Sequence, residues 1–324
     1  MRPVAFALLT GVFLTGLALG GAGRGTAAPK TVAITSIVQH PALDDVLQGV
    51  REGLAQAGYA DGVDLVIVFE SAQGNPATAA QIAQKFVANP PDLIVAISTP
   101  SAQAVAAATT DIPIVFSAVT DPLSARLVAS LPKPGGNVTG VSDMAHIGDN
   151  LALISELTPG VRQLGILFNP NEPNSSASRA ALIVAAEAAG ITIIDAAVES
   201  PEGVEAATRA LIGQVDAIFA PTDNTVVQAF EAAAQVAIEG KLPLYSADTE
   251  NVARGALAAL GVDYRQVGLL TAALVDRVLD GENPGAIPVV FVSRVDLHLN
   301  AATALAIGTT LPQPALDRAS KIIQ

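Results

Sequence analysis

The chain switches repeatedly between two hydrophobic periods. Short continuous apolar runs read as buried strands, and each is followed by a polar turn and then by apolar positions at helical spacing. Thr31 to Val38 predicts a strand, and Gln39-His40-Pro41 turns into a helix with Leu43, Val46, Leu47, Val50 and Leu54 on one face, ended at Gly58. Val63 to Phe69 predicts the next strand. Asn75-Pro76 opens a helix to about Val87, closed by Asn89-Pro90-Pro91. Leu93 to Ile97 is a strand that runs into Ser98-Thr99-Pro100-Ser101 and an Ala-rich helix; Ile112 to Ser117 is another, with Asp121-Pro122 expected to start a further helix.

A second series follows the turn-rich residues 132–137. Val138 to Ser142 is extended, a helix spans about Gly148 to Leu157, and Gln163 to Phe168 is a strand leading into Asn169-Pro170-Asn171-Glu172-Pro173-Asn174-Ser175. A helix over 176–189, a strand from Ile191 to Ala196, a helix over 202–213 and a strand from Ala217 to Ala220 continue the rhythm. Pro221-Thr222-Asp223-Asn224 caps a single helix to about Glu239, and Leu242 to Tyr245 leads to Ser246-Ala247-Asp248. Two series with one βαβα rhythm imply two similar lobes built on parallel sheets. The tail differs: Gly255 to Val262 is extended, Asp263 to Leu279 is an amphipathic helix, and Ile287 to Val292 is a strand before a helix from about Ala301. Such a tail suits two lobes joined by several crossing segments that close by hinge motion.

Hydrophobic residues make up 51% of the chain and aromatics only 4%, so Ala, Val, Leu and Ile fill the core, as buried parallel strands require. Arg2, the apolar run from Val4 to Leu19 and Thr26-Ala27-Ala28 read as a secretory signal peptide over residues 1–28, cut after Ala28. The absence of Cys excludes a disulfide framework and a thiol-linked lipid anchor, so the mature protein is expected to be a periplasmic protein and not a lipoprotein. Without Arg2 and Arg24, 15 basic residues face 30 acidic ones, a balance that argues against nucleic acid or an anionic membrane as partner.

Ligands of open parallel sheets bind beyond the carboxyl ends of the strands. Those positions offer Gln39, His40, Ser98, Thr99, Pro100, Ser101 and Ser117 in the first series, rich in hydroxyls and amides at helix starts. The second offers Asn169, Asn174, Thr222, Asp223, Asn224, Ser246 and Asp248, with two carboxylates at strand ends. Opposed across a cleft, the two sets suit a zwitterion, its carboxylate on the helix start at residues 98–101 and its ammonium on Asp223 and Asp248. Tyr245 is the candidate for stacking, and Asp121 a simple cap. No cysteine nucleophile, nucleophile elbow, zinc motif, phosphate loop or dinucleotide fingerprint is present, and three scattered histidines do not make a metal site; neither catalysis nor a cofactor is expected.

Val115 to Pro122 (VFSAVTDP), Gly136 to Asp143 (GNVTGVSD), Pro221 to Thr225 (PTDNT), and Gly255-Ala-Leu-Ala with Gly261-Val-Asp-Tyr264 together resemble the ABC-transporter substrate-binding proteins grouped around tryptophan and tyrosine uptake. The resemblance spans essentially the whole mature chain. It implies the type I periplasmic-binding-protein fold: α/β, two Rossmann-like lobes with parallel sheets joined by three hinge crossings. Residues 29–141 and 256–288 would form the N-terminal lobe, and 142–255 and 289–324 the C-terminal lobe. It further implies a non-catalytic monomer that delivers a small ligand to an inner-membrane ABC permease. Thr99, Pro100 and Ser101 would take the ligand carboxylate, with Ser117, Asp143, Asn169, Asn174, Asp223 and Asp248 lining the cleft. An aromatic or other apolar amino acid is the expected ligand; a branched aliphatic amino acid or another small carboxylate would fit the same polar frame. A ligand-sensing protein that reports to a receptor, and a small-molecule hydrolase, are the alternative readings.

Overall fold

The computed structural model describes residues 28–324; the expected signal peptide lies almost wholly outside them. The apolar runs become strands, and most of the amphipathic stretches that follow them become helices that cover them. In chain order the first lobe holds β1 (Lys30–Ser36), α1 (Pro41–Gln56), β2 (Leu65–Ser71), α2 (Pro76–Ala88), β3 (Leu93–Ile97), α3 (Thr99–Ala108), β4 (Ile114–Ser117) and β5 (Val138–Ser142). The second lobe holds α4 (Ile147–Leu157), β6 (Gln163–Phe168), α5 (Pro173–Ala189), β7 (Thr192–Ala197), α6 (Val204–Leu211), β8 (Ala217–Ala220), α7 (Asn224–Gln228), α8 (Phe230–Glu239), β9 (Leu244–Ser246) and β10 (Ala258–Val262). The chain then returns to the first lobe for α9 (Tyr264–Leu279) and β11 (Val290–Phe291). It ends in the second with β12 (Val295–Asn300), α10 (Ala301–Ile307), α11 (Gln313–Arg318) and β13 (Lys321–Ile323).

The first sheet has the order β11-β5-β4-β3-β1-β2 and the second β13-β12-β10-β9-β8-β6-β7. All pairings are parallel except β10 with β12. The five residues of β3 are all fully buried, as expected of a central strand covered on both faces. Three segments join the lobes: residues 143–146, Asp263, and residues 292–294.

Several expectations shift. The boundary at 255/256 would give β10 to the first lobe, but β10 pairs with β9 and β12 and so belongs to the second sheet; the crossing follows it, at Asp263. The expected strand over 287–292 shortens to β11, which pairs with β5 in the first sheet instead of serving the second. No helix follows Asp121, whose Oδ1 accepts from Leu123 N (3.0 Å) and Ser124 N (3.1 Å) to cap a turn. The single helix expected after Asp223 breaks at Ala229, where α7 ends and α8 begins.

The returning helix α9 locks onto α1, and glycines make the contact possible. A Cβ at Gly268 would lie 2.2 Å from Val46 O, and one at Gly49 2.3 Å from Arg265 O, so the two backbones touch. Arg265 Nε donates to Glu52 Oε2 at 2.7 Å beside this contact.

Candidate functional site

The carboxyl ends of β3 and β4 in one lobe face those of β6, β8 and β9 in the other, and the chain is strained on the first side. Ser98 has φ 77 and ψ 153, a region proper to glycine, and Ala118 after β4 has φ 52. Both residues line the inter-lobe cavity. Ser98 N donates to Ser117 O at 2.8 Å, which ties the end of β3 to β4 while the side chain turns towards the second lobe. There Ser98 Oγ donates to Asn224 Oδ1 at 3.2 Å, and Thr120 Oγ1 lies 3.3 Å from Thr222 Oγ1; these two contacts bridge the cleft.

A narrow space lies between the lobes. His40, Leu43, Ser98, Ala118, Thr120 and Asp143 line it from the first lobe and the first crossing. Asn174, Thr222, Asp223, Asn224, Val227 and Asp248 line it from the second lobe, and Tyr264 from the second crossing. Three carboxyl groups reach it and no Lys or Arg does among the described residues.

Each carboxylate is held differently. Asp143 accepts from Thr120 Oγ1 (3.0 Å) and Tyr264 OH (3.2 Å); burial still pushes its pKa up to about 6 against the pull of those bonds. Asp223 caps α7 through Val226 N (2.8 Å) and accepts Asn169 N and Ser175 Oγ, each at 2.5 Å. Burial, with Glu172 nearby, raises it to about 7. Asp248 accepts Glu250 N at 2.9 Å on Oδ1 only, which leaves Oδ2 without a hydrogen-bond donor among the described residues. Burial raises it to about 7 as well, with Glu250 and Asp143 adding like charge and Arg254 opposing. His40 is pushed the other way, to about 3, by burial and by the Arg254 charge, so its ring is neutral.

Of the residues proposed from sequence, the fold brings His40, Ser98, Asp143, Asn174, Thr222, Asp223, Asn224 and Asp248 together around the cavity. The others lie elsewhere. Thr99 and Ser101 are buried at the start of α3, their hydroxyl oxygens without partners, behind Ser98. Pro100 and Asn169 line a separate groove on the outer side of the cleft. Gln39 accepts from Gln73 Nε2 (3.3 Å), outside the cavity. Ser117 Oγ sits 2.6 Å from Thr271 Oγ1 of α9, inside the first lobe, and Ser246 Oγ accepts from Asp248 N and Asn251 Nδ2. Tyr245 is a core residue of the second lobe, its hydroxyl 2.8 Å from Thr158 Oγ1; the ring at the cavity is that of Tyr264. Sequence reasoning passed over Leu43, Val227 and Tyr264, while Ala118, Thr120 and Glu172 fall within the strand-end stretches 117–121 and 169–175 without being singled out. Of these, Thr120 and Tyr264 carry a signal, a polar residue beyond the end of a strand.

Two lobes hinged by three segments and closed over an enclosed polar cavity define a solute-binding protein of the type I periplasmic-binding-protein fold. The chain belongs to the ABC transporter substrate-binding protein family, whose model matches residues 31–323. It is 39% identical over 278 residues to a tyrosine-binding protein of Clostridioides difficile strain R20291, covering 86% of this chain and 81% of that one. Among solved structures it resembles a Streptococcus pneumonia ABC domain in complex with L-Trp (35% identity, 91% and 100% of the two chains, TM-score 0.89). It also resembles the ligand-free, open form of a Clostridium difficile substrate-binding protein with adhesive properties (35%, 91% and 99%, TM-score 0.70). At equal identity and coverage the higher score falls to the liganded structure, as it does when the lobes here are closed. Proteins of this family work in the periplasm or outside the cell, where they bind a solute for an ABC transporter.

Proposed function

We propose that this chain is the periplasmic amino-acid-binding component of an ABC importer, taking an aromatic amino acid, with tyrosine or tryptophan foremost. The observation that carries the ligand class is the asymmetry of the cavity. Asp143, Asp223 and Asp248 converge on it with no Lys or Arg in its lining, and Asp248 Oδ2 has no donor among the described residues, which suits an ammonium. On the other side, Ser98 lines the cavity at the start of the ten-residue helix α3, whose dipole suits a carboxylate. Tyr264, Leu43 and Val227 supply the apolar wall. The tyrosine-binding relative and the tryptophan complex support the aromatic assignment. The protein acts as a monomer, without catalysis, exported by the signal at residues 1–28, and passes its ligand to an inner-membrane permease.

The test is mass spectrometry of small molecules released when the purified protein is denatured, followed by calorimetric titration with tyrosine, tryptophan, phenylalanine and leucine. Release of an amino acid and tight binding of an aromatic one are expected. Release of a sugar or an organic dianion, with no amino acid bound, would sink the reading.

A further inference from the structure

Glu172 does not touch the cavity, yet it decides how the cavity's polar groups point. It precedes α5, is buried to 8% exposure, and both carboxylate oxygens are acceptors. Oε2 takes the backbone N–H of Asn224 (3.1 Å) and Oε1 that of Thr225 (2.9 Å), with Thr225 Oγ1 at 2.7 Å. Main-chain N–H groups can only donate, so Glu172 is their acceptor. It also takes the side-chain amide nitrogens of Asn174 (3.0 Å) and Asn224 (2.5 Å). An Asn amide has two ends, and an acceptor on one side fixes which end faces the other. Thr222 O accepts the second Asn174 N–H at 2.8 Å, so the orientation of Asn174 is doubly fixed.

The consequences reach the opposite wall. Asn224 Oδ1 faces the first lobe as an acceptor, where it takes the Ser98 hydroxyl proton at 3.2 Å, and His40 lines the same cavity. His40 Nδ1 is buried with no partner, and an acceptor at Asn224 Oδ1 favours the tautomer that carries its proton on Nε2. A neutral imidazole carries one proton, which leaves Nδ1 a bare acceptor. Asn174 Oδ1 is likewise buried and unpartnered. Both residues line the cavity.

We propose that Glu172 is a positioning residue that turns this part of the ligand site into an acceptor surface, reserving Asn174 Oδ1 and His40 Nδ1 for N–H or O–H donors of the ligand. The inference rests on the amino-acid reading above and sharpens it: the ligand must bring donors beyond those that Asp248 takes. The donors are N–H of the α-ammonium or O–H of a tyrosine side chain, and the two sources separate experimentally.

Wild type, His40→Phe and Glu172→Gln are titrated with L-tyrosine, L-phenylalanine and 3-(4-hydroxyphenyl)propionate, which lacks the amine. Removing an oriented acceptor leaves a buried donor unpaired, so His40→Phe should weaken the affected ligand about 10- to 100-fold. Loss for tyrosine and phenylalanine but not for the propionate assigns the ammonium; loss for tyrosine and the propionate but not for phenylalanine assigns the hydroxyl. Nitrogen-15 NMR of the ring should show His40 as the neutral Nε2–H tautomer in wild type. Glu172→Gln should mix the tautomers while the circular dichroism spectrum stays native. Equal losses for all three ligands in His40→Phe, or an unchanged His40 tautomer in folded Glu172→Gln, would overturn the proposal. Failure of wild type to bind any amino acid would instead refute the ligand class.

Discussion

Replacing Asp248 by Asn should close the ligand-free protein at neutral pH. In the closed arrangement Asp248 is buried, with Glu250 and Asp143 adding like charge, and its pKa rises from 3.8 to about 7. A rise of that size corresponds to on the order of 4 kcal/mol against the ionised form. Opening the cleft hydrates the carboxylate and removes the penalty. A carboxylate whose pKa rises on closure holds more protons in the closed form. Closure without ligand is therefore unpenalised at about pH 4, becomes less favourable as pH rises towards 7, and changes no further above that. Asp143, raised to about 6, adds a smaller effect of the same sign over a lower window.

An ammonium ligand removes the same penalty by supplying the missing positive charge, so that binding near pH 6 should release protons from these groups. Small-angle scattering gives the assay. Ligand-free wild type should be compact at pH 5 and expanded at pH 8, and compact again at pH 8 with saturating tyrosine. Asp248→Asn, which has no charge to hydrate, should stay compact at both pH values while binding tyrosine at least about tenfold more weakly through loss of a charge-assisted bond. Identical pH dependence in the two proteins, or no change in wild type between pH 5 and 8, would refute the assignment of Asp248 as the group that holds the empty cleft open.

Ser98→Gly should relieve a backbone strain of about 1–3 kcal/mol, partly offset by the extra freedom of glycine in the unfolded chain, and raise the melting temperature of the ligand-free protein. The same change deletes the Ser98 to Asn224 bridge, so calorimetry should show weaker tyrosine binding in a more stable protein. Asp121→Ala should lower stability by about 0.5–2 kcal/mol in urea unfolding, as loss of a cap does, with the tyrosine Kd unchanged. Asp223→Ala should cost about 3 kcal/mol or more, because it strands the donors of Asn169, Ser175 and Val226. Gly268→Ala should destabilise by about 1–3 kcal/mol or more in calorimetric melting, since its Cβ would sit 2.2 Å from Val46 O.

The fold was largely legible because buried parallel strands and their covering helices leave separate periodicities in the chain. Strand ends located the cleft, and they led to His40, Ser98, Thr222, Asp223 and Asp248, all of which line it. The rule overreached by one residue at Ser117 and Ser246, the last residues of β4 and β9. Successive strand side chains alternate between faces, so a terminal strand residue can point into the lobe while the next one, Ala118 after β4, faces the ligand. Tyr264 was missed because a lone tyrosine is by default core or surface, and only the fold brings its ring to the cavity.

Glu172 was illegible for a deeper reason. In sequence it is a turn residue before Pro173, where an acid is an ordinary helix-start preference. Its partners at residues 224 and 225 are more than fifty positions away, and no spacing rule connects them. Local pattern thus finds side chains that meet the ligand directly, while the groups that orient them appear only once the fold is closed. The same distinction places the acids by function. Asp143 and Tyr264 sit on or beside crossing segments, joined by the Tyr264 hydroxyl. Asn224 and Thr222 stand on the second lobe, where their contacts with Ser98 and Thr120 cross the cleft. The cavity thus joins an acidic floor at the crossings to a Glu172-oriented wall that meets the first lobe across the cleft.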